Sequence, residues 1–169
     1  MEKQEKKRAI ASDDNDVGQK RNKLFRAVIG RIKDAIEDGY YLEAITLEES
    51  LICDRFASRF TYLYEKNHPS LTSFKRKKEF IKSNFYGIML ETIVNGIDEI
   101  EEDDEIKQFC NKELREWKDL RNTALHEMAK LSEDSDKTFP DKYAQLEDVA
   151  KNGLKVFRDA EKLINKTKK

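Results

Sequence analysis

From Arg21 to the end of the chain, apolar side chains recur three and four positions apart, the period of a helix that buries one face. Phe25, Ile29, Ile32 and Ile36 make the first stripe, which Gly39 closes as a C-cap. A second runs from about Tyr40 to Lys66 through Tyr41, Ala44, Ile45, Leu51, Ile52, Phe56, Phe60 and Leu63, and Asn67-His68-Pro69 ends it. A third starts after the N-cap residue Ser73 and carries Ile81, Phe85, Ile88, Met89, Ile93, Ile97 and Ile100. Beyond the acidic stretch Glu99 to Glu105, a fourth shows Ile106, Phe109, Cys110, Leu114, Trp117, Leu120, Ala124 and Met128. The polar loop Ser132 to Pro140 precedes a fifth with Tyr143, Leu146, Ala150, Leu154, Phe157, Ala160 and Ile164. The pattern predicts an all-α antiparallel bundle of about five helices. With 6 Gly and 2 Pro in 169 residues, the chain also lacks the turn chemistry of a sandwich or barrel.

Residues 1–20 alternate acidic and basic clusters with almost no large apolar side chain, so a disordered charged arm is expected there. Residues 21–169 are then a single helical domain, a size that buries a core without staples. Lys and Arg number 33 against 34 Asp and Glu, which leaves no global field for nucleic acid; any electrostatic site must be a local patch. Phe74-Lys75-Arg76-Lys77-Lys78 is one such patch, able to track an RNA backbone by counterion release or to serve as a solvated helix face. Its four cations at a helix start oppose the macrodipole, which is unusual for purely structural residues.

No apolar run approaches the roughly 20 residues of a membrane span, and the N-terminus has no apolar core like that of a signal peptide. A cytoplasmic protein with reduced thiols is expected, with Cys53 and Cys110 read as core. No metal site is expected. His126-Glu127 opens like a zinc-protease helix, but Lys130 stands where the second His belongs, and the two Cys and two His have no ligand spacing. No Gly-rich phosphate loop is present either, and no cofactor is implied.

Function must come from polar residues that break the stripes. Glu48 has Ala44, Ile45, Leu51 and Ile52 as its helical neighbours, a costly place for a carboxylate unless a cation or donor meets it. Arg121 has Trp117, Ala124 and Leu125 around it, suited to a partly buried contact with an oxyanion or to an aliphatic stem with its head in water. His126 lies five residues on, about 140° round an ideal helix and ~7.5 Å along it, so the two do not share a face. Asn122 and His126 do. Either the helix breaks near Arg121, or Arg121 curls round while Asn122 orients the imidazole.

The run Trp117-Lys-Asp-Leu-Arg121-Asn122-Thr-Ala-Leu-His126 resembles the signature of the HEPN superfamily: an Arg, four to six intervening residues and a His, often with a polar residue directly after the Arg. Members are small all-α bundles that carry the motif on or between their later helices. The resemblance implies a metal-independent endoribonuclease in which Arg121, Asn122 and His126 are catalytic. The imidazole would deprotonate the 2′-hydroxyl or protonate the 5′-oxygen, and the guanidinium would stabilise charge on the phosphorane. Products would be a 2′,3′-cyclic phosphate and a 5′-hydroxyl. The resemblance further implies a homodimer with the two motifs facing one cleft, RNA as substrate, and the role of a toxin or antiviral-defence effector, with an antitoxin protein as a candidate partner. An acidic residue on the second helix is expected near the motif, Glu48 first, holding Arg121 in place, and Asp54 second. Two other readings stay open: a non-catalytic HEPN-like module that binds a nucleotide or a protein, and a plain helical interaction protein.

Overall fold

Gly39 turns the chain from its first helix to its second. It adopts φ +80, and the Tyr40 amide donates to the Ala35 carbonyl at 2.7 Å while the Gly39 amide donates to that of Ile36 at 3.3 Å. This paired closure needs a residue without a Cβ at the left-handed position. The computed structural model describes residues 15–67, 88–130 and 137–167. Helices α1 (Asn15–Glu37) and α2 (Tyr41–Asn67) flank this turn, followed by α3 (Leu90–Ile100), α4 (Asp104–Phe109), a π-helical turn (Cys110–Leu114) and α5 (Arg115–Ala129). Short α6 (Phe139–Ala144) leads almost directly into α7 (Leu146–Lys166). Because α4, the π turn and α5 form one continuous rod, the described residues make an all-α bundle of about five helical rods.

Helices α2 and α7 are the central pair, with α1 packed on both and α5 on α7. Ile32, Ile45, Ile52, Phe56, Phe60, Trp117 and Phe157 fill the space between them and are fully buried. Helix α3 runs antiparallel to the fourth rod in a fixed register. Asn111 reaches Asp98 at 2.8 Å, Arg115 the Val94 carbonyl at 3.1 Å and Lys118 the Glu91 carboxylate at 2.6 Å. Arg59 and Glu101 form a buried bidentate pair, with N···O distances of 2.9 and 2.6 Å. Glu101 also accepts from the Glu102 and Asp103 amides at the start of α4. A pair so fully hydrogen-bonded retains both charges in the interior; one missing partner would strand the other.

Several expectations need correction. Helix α1 begins at Asn15, inside the stretch 1–20 read as an arm. The loop expected from Ser132 to Pro140 ends early, because Thr138 and Asp141 form a capping box that starts α6 at Phe139. Met89, placed in the third stripe, is 66% exposed because it precedes α3 in extended conformation. Leu120, placed in the fourth, is 52% exposed. A π turn holds one residue more than an α turn, so everything after Leu114 is rotated by about 100°. Leu120 faces solvent beyond this turn, while Arg121, set among Trp117, Ala124 and Leu125, meets Glu49 of α2. Ser73, Ile81 and Phe85 of the third stripe, His68, and the cationic run Lys75, Arg76, Lys77 and Lys78 lie outside the described residues.

Candidate functional site

Helix α5 is unbroken from Arg115 to Ala129, so the motif lies on one helix and Arg121 and His126 point along different directions. Of the two geometries the sequence allows, the break near Arg121 is absent. Arg121 Nη1 donates to Asn122 Oδ1 at 2.7 Å, which turns the guanidinium towards its neighbour. Its Nη2 donates to the carboxylate of Glu49, across on α2. Arg121 therefore sits at the α2–α5 seam with its side chain 21% exposed, and its Nε is buried without an acceptor. Two of the five N–H donors of the guanidinium are engaged, both by groups that fix its plane.

An open groove of about 700 Å³ runs along the outer side of α5, lined by Asp119, Asn122, Thr123, His126, Glu127 and Lys130. Asn122 is the hinge of the arrangement. Its Oδ1 accepts from Arg121 at the seam, and it stands one turn before the exposed His126 on the groove wall. With Oδ1 occupied, Nδ2 remains as the group that can donate to a phosphate oxygen. Both groove carboxylates face a cation: Asp119 lies 3.4 Å from Lys118 Nζ, and Glu127 accepts from Lys130 Nζ at 2.7 Å. The Lys130 bond and charge hold the Glu127 carboxyl below its ordinary range, and Lys142 and Lys137 add to the effect from farther off.

The acidic partner expected of Glu48 belongs to Glu49. Glu48 is fully buried, and neither carboxylate oxygen has a hydrogen-bond partner. It lies against Gly153 of α7 and the Trp117 ring, where a Cβ on Gly153 would come within 2.8 Å of Glu48 Cδ and 2.8 Å of Trp117 Cζ2. Burial, against a lowering contribution from the Leu154 backbone, pushes its pKa up to about 9, which makes Glu48 a neutral acid at pH 7. Asp54, the second candidate, is exposed and pairs with Arg21 of α1 at 3.4 Å. One residue, about 100° of rotation, separates the apolar centre of α2 from the edge where Glu49 meets α5.

Sequence reasoning missed Glu49 together with Asp119, Thr123, Glu127 and Lys130 of the groove. Only Glu49 left a signal: it borders the α2 stripe, with Ile45, Ile52 and Cys53 as neighbours, where a carboxylate can still reach a cation. Cys53 is half-buried beside this pair; burial first, and the Glu49 charge second, push its thiol up to about 12, so it is inert. Among the described residues, no three His, Cys, Asp or Glu side chains converge as metal ligands, and no helix is long and apolar enough to cross a membrane. Compared with known proteins, the chain matches no family model, no curated protein and no solved structure.

Proposed function

We propose that this chain is a metal-independent endoribonuclease of HEPN type, with Arg121, Asn122 and His126 as its catalytic residues. The carrying observation is the placement of all three on one unbroken helix, with Asn122 bonded to the guanidinium and also lining the groove that holds the imidazole. In this reading the 2′-hydroxyl loses its proton to an imidazole, O2′ attacks phosphorus, and the P–O5′ bond breaks as O5′ takes up a proton. Arg121 and the Asn122 amide stabilise the charge that gathers on the non-bridging oxygens. Glu49 is a positioning residue that keeps the guanidinium from folding back into solvent.

One imidazole cannot at once stand on both sides of the phosphorus, which gives a chemical reason for two copies to share a cleft. Met89 and Leu120 support that arrangement. Both are largely exposed, and the α3–α5 register sets them at the same height beside the motif. RNA is the substrate in this reading, and a toxin or antiviral-defence effector is the role it fits; an antitoxin protein would be its natural partner.

Expression of wild type, Arg121→Ala and His126→Ala in a bacterial host tests the proposal. Wild type should arrest growth and degrade cellular RNA while both variants are harmless; equal growth with intact RNA in all three would overturn it. A second reading has one observation in its favour. The Glu49 ion pair already occupies Arg121, as befits a non-catalytic nucleotide- or protein-binding module. In that case Arg121→Ala lowers stability and leaves RNA untouched in every arm.

A further inference from the structure

Phe139 is 62% exposed, a large apolar ring that adds little to the core. It is nonetheless held firmly. Thr138 caps α6 through the Asp141 amide, Asp141 accepts from the Thr138 amide at 2.9 Å, and Pro140 fixes the first turn. The ring stands 6.1 Å from that of Tyr143, which lies 5.6 Å from the Tyr41 ring and donates its hydroxyl to the Gly39 carbonyl at 3.0 Å. Tyr143 is thus a fixed backing, and Phe139 the free face of a short aromatic ladder.

This ladder adjoins the groove. Lys142 of α6 donates to the Lys130 carbonyl at 2.8 Å, and Lys130 lines the groove four residues beyond His126. Lys130 Nζ bonds Glu127 at 2.7 Å while Lys142 Nζ bonds the Lys130 carbonyl, and Lys142 and Lys137 add positive charge around Glu127 from farther off. A stable protein interface buries about 800 Å² on each partner, far more than one ring and its rim supply. A single nucleobase covers such a ring completely.

We propose that Phe139, backed by Tyr143, stacks an unpaired base of single-stranded RNA next to the scissile phosphodiester, with Lys142 and Lys137 on the adjoining phosphates. The inference rests on the ribonuclease reading and adds to it a base-stacking subsite outside the motif. Stacking on one aromatic face is sequence-tolerant and sensitive to deletion of the ring.

The test is binding of a fluorescent octanucleotide of 2′-O-methyl RNA, whose blocked 2′-oxygen prevents cleavage, to the full chain. Phe139→Ala should raise Kd about tenfold, Phe139→Trp should restore it, and a duplex of equal length should compete poorly. Binding by Phe139→Ala within twofold of wild type, at unchanged melting temperature, overturns the proposal. So does loss of self-association in Phe139→Ala with RNA binding intact, which would give the ring to a second copy. Cleavage of unmodified RNA by wild type separates the two ideas. Cleavage without Phe139-dependent binding defeats the shelf alone, and Phe139-dependent binding without cleavage defeats the nuclease alone.

Discussion

Replacing Glu48 by Gln should make the chain's stability depend differently on pH, because Glu48 carries a proton when folded and loses it when unfolded. Its pKa rises from the ordinary 4.5 to about 9 through burial against Gly153 and Trp117, with neither oxygen paired. A carboxyl raised in this way binds its proton more tightly in the native state. Its favourable contribution is complete below the unfolded pKa and disappears as pH climbs towards the folded one. Across that window each pH unit costs about 1.4 kcal/mol, so between about pH 5 and pH 8 the wild type loses ~4 kcal/mol that Glu48→Gln keeps. That is a large share of the ~5–15 kcal/mol by which domains are stable. Gln introduces its own buried amide, an offset that does not vary with pH. The assay is urea unfolding of both proteins at several pH values, with the difference in stability plotted against pH. A positive slope near one proton supports a neutral buried acid. A flat line would refute it and mean that the carboxylate finds a cation or solvent.

Three further outcomes follow from the same contacts. Gly153→Ala should destabilise the fold by ~1–3 kcal/mol, despite the roughly 1 kcal/mol that Ala gains over Gly in a helix, because its Cβ has to displace Glu48 and Trp117; thermal melts of Gly153→Ala with and without Glu48→Ala should show the cost shrinking in the double variant. Glu101→Ala should cost about 3–5 kcal/mol in denaturant unfolding, since it leaves Arg59 charged and unpaired in the interior and removes the acceptor for two amides. Glu49→Gln should lower kcat for RNA cleavage by about tenfold or more with little change in KM and an unaltered circular dichroism spectrum, as expected of a group that positions Arg121.

The helical class was legible because burial of one face per helix writes a period into the chain. Phe56, Phe60, Trp117 and Phe157 all occupy the interior their spacing assigns them. What the period could not reveal was its own interruption. Nothing in Cys110 to Leu114 marks a π turn, and beyond it Leu120, which the period assigns to the stripe, is exposed. The Arg121-Asn122-His126 spacing was readable as a motif, and on the continuous helix Arg121 bonds Asn122 and Glu49. The anchor was misassigned by one residue. The reasoning that a stripe-centre carboxylate needs a cation was sound, but a neutral acid is the other solution, and Glu48 adopts it. Groove residues such as Thr123 and Lys130 are ordinary surface positions in sequence, and only their convergence in space distinguishes them.

The central claim, that Arg121 and His126 act together on a phosphodiester, is tested most directly by the ends of the RNA that the purified protein leaves in the presence of a chelator. A defined single-stranded RNA incubated with wild type should yield fragments with a 2′,3′-cyclic phosphate on one side of the cut and a 5′-hydroxyl on the other, and Arg121→Ala and His126→Ala should each yield none. Intact RNA with wild type, or the same fragments from either variant, would contradict it.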